Sequence, residues 1–370
     1  MAGPLDGLTA PPYDVISGPN RERFRRRSPN NIIHVDLADA DPGGGYERAA
    51  SRLRELRASG AIVMDEDPSY SAYELRFPLG GIRGTVRGIV CALELEPLGT
   101  GVLPHEQTMQ GPIEDRLRML RSTRTQLSPI YGTVAGPSEL LARTLDEVVR
   151  TTPLASVHDE EGVDHRIWRI PAEADVAAWL EDMPLLIADG HHRYATALAY
   201  RDERRRDEGP GPWDAVMALI VDSARESVPV LPYHRLQVAG APPVGGAPAS
   251  GLDDVLARVD DPALRFGTVA RDDGRVVYRL HQVAGDPPTV RALHEQLLDR
   301  VAPGDAVRFT HDAADADRAV RDGIAVAAYL LPPTTAGRIR AVVERGERLP
   351  RKSTFFWPKP RTGIVMMAVG

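Results

Sequence analysis

The sequence predicts an α+β fold in two domains, with mixed sheets and packed helices. Three observations predict it. Runs with period two and runs with helical spacing are interleaved, but without the regular strand–helix–strand alternation of a doubly wound sheet. The chain has 370 residues, 42% of them hydrophobic, enough for more than one core at about 100–200 residues per domain. Residues 239–251, AGAPPVGGAPASG, are the best linker candidate. The expected division is therefore a first domain over 1–238, the linker over 239–251, and a second α+β domain over 252–370.

The elements follow in order. In residues 10–16, APPYDVI, paired prolines stiffen a turn before an apolar strand. A second strand is expected in residues 30–37, NNIIHVDL, where alternation puts His34 and Asp36 on one face as a buried, hydrogen-bonded pair. Residues 46–59 have helical spacing and stop at Gly60. Residues 70–77 and 88–98 alternate as strands around the Gly80-Gly81 turn. Residues 114–124 read as a basic amphipathic helix, 138–150 as a helix opened by a Ser138 cap, and 176–180 as a short helical piece. The apolar strand 185–188 runs into Asp189-Gly190, and a strong helix follows over 191–207. Residues 213–222 and 228–238 read as strands. Beyond the linker come a strand at 276–283, a helix at 289–300, a buried strand at 324–331, a helix at 335–346 and a strand-like end at 364–369.

Composition narrows the function. A net charge of −7 argues against a protein that grips nucleic-acid backbones. Aromatics at 5% argue against a base-stacking platform. The single cysteine, Cys91, excludes an intramolecular disulfide framework and a cysteine-based zinc ribbon. No run approaches the roughly 20 apolar residues of a membrane span, and the first nine residues lack signal-peptide character. These readings point to a cytoplasmic protein with small-molecule partners, no nucleic acid and no membrane; a homodimer is compatible with them.

Lysine is scarce. The chain has 45 basic residues, yet only Lys352 and Lys359 are lysines. Asparagine occurs only at Asn20, Asn30 and Asn31, as expected of GC-rich coding. Both lysines fall in one stretch, residues 350–359, PRKSTFFWPK. A compact ammonium differs from a guanidinium, so these positions are candidates for holding a phosphate or carboxylate. Retention on a surface loop is the alternative.

The sharpest motif is residues 187–194, IADGHHRY. A strand ends at Asp189, Gly190 allows a tight turn, and a helix begins at the histidines. Helix N-termini attract phosphates, and Arg193 adds a bidentate donor. Asp189 is a candidate Mg²⁺ ligand or proton acceptor. His191 and His192 point about 100° apart on a helix, which disfavours a shared metal. In residues 102–108, VLPHEQT, Glu106 is a candidate general base and His105 a phosphate or proton partner. Residues 121–129, RSTRTQLSP, offer Arg121 and Arg124 for anions, although hydroxyl-rich loops also satisfy their own backbone. Tyr13 and Asp14 stand in the PPYDV segment. His234 and Arg235 end the VPVLPYHRL strand. Ser353 and Thr354 beside Lys352 have a phosphate-loop composition, but no Walker, dinucleotide-binding or nucleophile-elbow motif is present.

The ordered set PPYDVIS, NNIIHVDL, VLPHEQT, EDRLRMLRSTRTQLSPIYG, LLIADGHHRYATALAYRDE, VLPYHRL and LPRKSTFFWPKPRTG resembles the bacterial domain-of-unknown-function family 1015 over nearly the whole chain. Relatives carry a longer leader before the PPYDVI segment, which leaves an N-terminal strand unaccounted for. The Asp189–Arg193 run is similar to the signature of free-serine kinases of ParB/sulfiredoxin-like fold. That resemblance implies a ParB/sulfiredoxin-like core and phosphorylation of the free serine hydroxyl. It also implies a nucleotide or other phosphoanhydride donor, Mg²⁺ and an acidic base. By it, Asp189, His191, His192 and Arg193 surround the transferred phosphoryl group.

The expected function is a small-molecule kinase using ATP, ADP or pyrophosphate with Mg²⁺. Its catalytic residues would be Asp189, His191, His192 and Glu106, with Asp189 on the metal. Substrate and phosphate would be held by Arg193, Tyr194, His105, Arg121, Arg124, Lys352, Ser353, Thr354, Lys359, Tyr13 and Asp14. A metal-dependent phosphoesterase and a nucleotide-binding regulator of ParB-like fold are the alternatives. A kinase predicts convergence of these segments on one cleft.

Overall fold

The computed structural model describes residues 5–16, 18–38, 45–136, 139–172, 179, 183–286, 288–299 and 306–370. It is α+β, as expected, and divides into two compact units. Unit 1 is Met1–Pro104, Thr108–Val228 and Pro358–Gly370; unit 2 is His105–Gln107 and Pro229–Trp357. This differs from a cut at a linker over 239–251. That segment lies inside unit 2, and Ala247–Ala249 within it pairs with Tyr278–Leu280 at a sheet edge. An edge position tolerates Pro248, which has no N–H to donate. The last thirteen residues join unit 1, so the KSTFFWPK run is divided between Trp357 and Pro358.

Unit 1 opens with α1 (Gly18–Arg27), α2 (Ile33–Asp36) and α3 (Gly45–Ala58). Strands β1 (Ser69–Leu79) and β2 (Ile82–Glu94) form a hairpin whose turn, Gly80-Gly81, has φ of 58° and 83°. Then come β3 (Val102–Pro104), α4 (Gln110–Thr123), β4 (Thr125–Gln126), β5 (Ile130–Val134), α5 (Glu139–Val148), β6 (Ala155–His158) and β7 (Asp164–Pro171). The last are β8 (Leu185–Asp189), α6 (His191–Glu208) and β9 (Ala215–Asp222). Eight strands form one mixed sheet in the order β3-β8-β5-β9-β2-β1-β7-β6, parallel at β3/β8 and β5/β9 and antiparallel elsewhere. Met367–Ala368 pairs with β4, a shorter strand than the 364–369 expected. Ile130, Ile187, Ala218 and Ile220 of the central strands pack with Tyr194 and Ala197 of α6 in one core. Phe24, Ile33, Leu53 and Leu56 of α1–α3 pack with Met119 of α4 in another.

Two N-terminal expectations are corrected. Residues 30–37 are not a strand: the short helix α2 stands there. The reason is local. The Asn31 Oδ1 accepts the Ile33 N–H at 2.9 Å, turning the chain, while its Nδ2 donates to the carbonyls of Gly7 and Thr9 at 2.6 and 3.1 Å. An asparagine side chain that mimics a turn outcompetes a strand ladder. His34 and Asp36 therefore make no pair; His34 Nε2 lies 3.2 Å from the Ser28 carbonyl. Nor does PPYDVI open a strand: Tyr13–Val15 is a single 3₁₀ turn. Ser138 and the 176–180 piece, apart from Trp179, lie outside the described residues.

In unit 2, the expected 228–238 strand is divided at Tyr233 into β10 (Val230–Pro232) and β11 (His234–Gln237). These are followed by β12 (Ala247–Ala249), α7 (Leu252–Arg258), β13 (Arg265–Asp272), β14 (Arg275–Gln282), α8 (Thr289–Leu293), β15 (Val307–Thr310), α9 (Ala313–Arg321), β16 (Ala327–Leu330), α10 (Ala336–Glu344) and β17 (Thr354–Phe356). Six strands form an antiparallel sheet in the order β12-β14-β13-β16-β11-β15, and β10 pairs with β17 apart from it. Strand β13 is an addition to the expected set. Alternation along β13 and β16 sends Phe266 and Tyr329 toward α8, and Val269 and Ala328 toward α7 and α9.

Candidate functional site

In unit 1, β8 delivers Asp189 to the end of the sheet, and Gly190 turns the chain with φ of 94°. A side chain there would be strained, and its Cβ would lie 3.1 Å from the Arg193 guanidinium. Helix α6 starts at once, so the Asp189 carboxylate sits at a helix N-terminus. It is bound by two cations. Arg193 Nη2 donates to Oδ2 at 2.5 Å, and Lys359 Nζ donates to Oδ1. The same Nζ lies 3.4 Å from Asp14 Oδ2. Arg193 is fixed from its other side by the Pro129 carbonyl and by Ser128 Oγ at 3.2 Å. The Lys359, Arg193 and Asp189 side chains are all largely buried, whereas Asp14 is more open.

The two histidines diverge as helix geometry requires. His191 is buried, while His192 Nε2 accepts the Met109 N–H at 3.0 Å. Beside the cluster, Arg116 Nη1 donates to Asp36 Oδ1 at 2.9 Å, and its guanidinium stacks 4.3 Å from the Tyr13 ring. Burial pushes the Tyr13 hydroxyl up to about 12, with the charge of Asp14 adding to it. Burial also holds the Asp36 carboxyl above the usual range, against the pull of Arg116.

In unit 2, the loop 350–353 turns back at Lys352, which has φ of 54°. This left-handed residue presents two successive amides to one anion. That anion is Glu106: Ser353 N donates to Oε1 at 2.9 Å and Lys352 N to Oε2 at 3.3 Å. His105 is buried, with Nε2 at 2.7 Å from Thr354 Oγ1. The Ser353 hydroxyl donates to the Pro350 carbonyl. Lys352 Nζ lies 5.2 Å above the Tyr233 ring.

Beneath this loop is Arg235, fully buried. It donates to the carbonyls of Tyr233 at 2.5 Å, Lys352 at 3.0 Å and Arg351 at 3.3 Å, and from Nε to His294 Nε2 at 3.1 Å. Burial brings its guanidinium down to about 9, with the charge of Glu106 opposing.

The family model described as protein of unknown function (DUF1015) matches residues 2–242. The chain belongs to this family. No curated protein matches the DUF1015 chain. Solved structures do. A free serine kinase in complex with AMP is 14% identical with a TM-score of 0.41, over 73% of this chain and 90% of that one. A conserved hypothetical protein from Pyrococcus furiosus is 14% identical with a TM-score of 0.39, over 73% and 93%. SbnI with a C-terminal truncation from Staphylococcus aureus is 11% identical with a TM-score of 0.36, over 73% and 84%.

The sequence-predicted residues thus fall into groups. The structure brings Asp14, Asp189, Arg193 and Lys359 together in unit 1, with Tyr13 near Arg116. It brings His105, Glu106, Lys352, Ser353 and Thr354 together in unit 2. Three residues depart from expectation. Tyr194 is buried in the core, its hydroxyl bonded to the Glu96 carbonyl at 2.8 Å, because position four of α6 faces the sheet. Arg121 forms an ion pair with Glu203 on an exposed helix surface. Arg124 ends α4 with φ of 47°, and its carbonyl accepts the Val369 N–H at 2.9 Å. Sequence reasoning assigned no site role to Arg235, Arg116 or Asp36. The VLPYHRL and NNIIHVDL runs contained signals for Arg235 and Asp36: a basic residue closing an apolar strand and an acid inside an apolar run.

Proposed function

We propose that the protein is a small-molecule kinase. It would move a phosphoryl group from a nucleotide or pyrophosphate to the hydroxyl of free serine or a similar hydroxy amino acid. The observation that carries this reading is the Asp189 cluster: two carboxylates and two cations gathered where a strand gives way to a helix N-terminus. Phosphoryl transfer asks the protein for positioning and charge neutralisation rather than covalent chemistry. Lys359 and Arg193 are suited to phosphate oxygens, and the α6 N-terminus favours the same charge. The likeness of the Asp-Gly-His-His-Arg run to the free-serine kinase signature supports the assignment.

Asp14 and Asp189 already face one cation, Lys359 Nζ. That donor set fits Mg²⁺, which takes one or two protein carboxylates together with phosphate oxygens. Bound there, Mg²⁺ would neutralise donor phosphate charge. Glu106 is proposed as the general base on its own chemistry. Glu106 is held by two amides in one orientation, as a general base requires. The acceptor oxygen attacks the terminal phosphorus and a P–O bond forms. The bond to the leaving phosphate breaks with its electron pair, and the hydroxyl proton passes to the carboxylate base.

Phosphorus NMR with Mg²⁺ tests the reading, using ATP, ADP or pyrophosphate with and without L-serine and other hydroxy amino acids. The expected result is a phosphomonoester resonance that needs the acceptor and is lost in Asp189→Asn. Donor hydrolysis indifferent to the acceptor would replace the kinase by a phosphohydrolase. Donor binding without turnover would replace it by a nucleotide-binding regulator.

A further inference from the structure

One buried cation of unit 1 has no part in the phosphoryl-transfer chemistry. Arg361 is only 3% exposed. Its Nε donates to Thr9 Oγ1 at 3.0 Å and its Nη2 to the Thr9 carbonyl at 3.2 Å. Its Nη1 donates to Glu160 Oε1 at 3.1 Å and to Asp159 Oδ2 at 3.5 Å. Its backbone N–H donates to the Tyr73 hydroxyl at 3.2 Å. That hydroxyl lies 2.9 Å from His165 Nδ1, and His165 Nε2 lies 3.0 Å from Asp159 Oδ2. These contacts close a ring that begins and ends at Arg361. The N–H groups of Arg361 can only donate, so the Tyr73 proton turns to His165 Nδ1 and the Nε2 proton of a neutral His165 turns to Asp159. Burial holds the His165 imidazole below its usual range, which favours that neutral form.

Two arms lead from this ring to the Asp189 cluster. The first is the stretch before Arg361: Lys359 stands two residues earlier, with Pro360 between. Residues 359–361 form no helix or strand, so they have no ladder of their own, and Arg361 anchors them. The second arm runs from Thr9 through Pro11 and Pro12 to Asp14. Ala10 and Thr362 join the bases of the arms by two backbone bonds, at 3.3 and 2.9 Å. A proline ring locks φ and stiffens the chain, so an anchor at the base of each arm sets the course of its tip. The tips meet: Lys359 Nζ lies 3.4 Å from Asp14 Oδ2 and donates to Asp189 Oδ1.

We propose that Arg361 is a positioning residue. Through the ring with Tyr73, His165 and Asp159 it fixes the backbone on which Lys359 and Asp14 reach Asp189. Only the backbone is fixed, so the Lys359 side chain keeps the freedom to turn toward a phosphate. A guanidinium is needed for this, because its planar fork bonds Thr9, Asp159 and Glu160 at once, which an ammonium cannot do in the same geometry. The consequence for the phosphoryl donor rests on the kinase reading. The anchoring of Lys359 does not.

The scarcity of lysine supplies a readout that needs no turnover. In the full chain labelled with carbon-13 at lysine Cε, only Lys352 and Lys359 give signals, and Lys359→Met tells them apart. Arg361→Met should move the Lys359 resonance toward that of a free lysine side chain and leave Lys352 in place, while circular dichroism shows the native fold. Should that variant not fold, Tyr73→Phe removes only the hydroxyl that accepts the Arg361 N–H, and it should move the same resonance in the same direction. An unmoved Lys359 resonance in a folded variant overturns the inference, as does an equal shift of both lysines. Steady-state kinetics adds the donor. Arg361→Met should raise the donor KM about tenfold and add little in the Lys359→Met background, because residues acting through one contact are not additive. A displaced Lys359 in a protein without transfer activity upholds the positioning and removes the kinase. Transfer with an unchanged donor KM in a folded Arg361→Met upholds the kinase and overturns the inference.

Discussion

The two units each hold a carboxylate, but by different means. In unit 1, Asp189 is held by charged side chains, Arg193 and Lys359. In unit 2, Glu106 is held by backbone amides of Lys352 and Ser353. Side-chain ion pairs can exchange partners by rotating a few bonds. Lys359, already shared between Asp189 and Asp14, can turn to a phosphate without moving the chain. Amides cannot leave Glu106 unless the loop refolds. The first arrangement suits a group that meets a polyanion, and the second a group whose lone pairs must keep one direction. Even the two scarce lysines divide this way. Lys359 works through its ammonium, whereas at Lys352 the left-handed backbone does the holding.

The largest effect expected from this contrast is on turnover. Glu106→Gln keeps an oxygen for one amide and removes the basic group, so it should lower kcat by about 10²–10⁴-fold. Lys359→Met should instead raise the KM for the donor while lowering kcat far less. Steady-state kinetics of both variants is the check. A Glu106→Gln variant that turns over normally would break the comparison at its unit 2 end.

Next is the support beneath the loop. Arg235→Met leaves three carbonyls, those of Tyr233, Arg351 and Lys352, without their buried donor. Each hydrogen bond lost costs about 0.5–1.5 kcal/mol, so a loss of roughly 3 kcal/mol is expected in urea denaturation. A variant that is stable but as slow as Glu106→Gln would sharpen the comparison, making Arg235 a positioning residue for the loop. A variant stable and fully active would show that the loop holds itself.

The neighbouring His234 gives a pH signature to unit 2. Burial, followed by the charge of Arg235, takes its imidazole down to about 4. Its Nδ1 accepts the Leu331 N–H at 3.1 Å, a bond that needs the neutral ring. An unfolded histidine takes up its proton near pH 6.5. Between about pH 6.5 and 4 the unfolded chain therefore binds the extra proton, and stability falls as pH falls. At about 1.4 kcal/mol per unit the loss is about 3 kcal/mol across that window. Stability curves of wild type and His234→Gln should converge toward pH 4. Parallel curves would mean that His234 does not titrate out of step with the unfolded chain.

Much of this was legible in residue order, for identifiable reasons. The Asp189 turn was readable because Gly190 punctuates an apolar strand and a helix with nothing else competing. The same reading placed Tyr194 at the site, where helical periodicity instead turns it into the core. Asp36 and Arg116 were hidden for a different reason. Their partnership joins residues eighty positions apart, and local pattern carries no record of it. Arg235 was legible only as a basic residue ending a strand, since a fully buried guanidinium answered mainly by carbonyls is not what charge predicts.

The smallest effect tests the place where local pattern failed outright. Alternating NNIIHVDL reads as a strand, yet Asn31 spends its side chain on the turn before α2 and on the carbonyls of Gly7 and Thr9. Asn31→Ala should cost about 1–2 kcal/mol by loss of the turn bond and the two donated bonds. Asn31→Asp separates the two functions of the amide. It keeps the acceptor for Ile33 N–H and loses both donated bonds, placing a carboxylate against two carbonyls. If the turn bond decides helix over strand, Asn31→Asp retains the fold and Asn31→Ala is the poorer variant. If the donated bonds decide it, the order reverses.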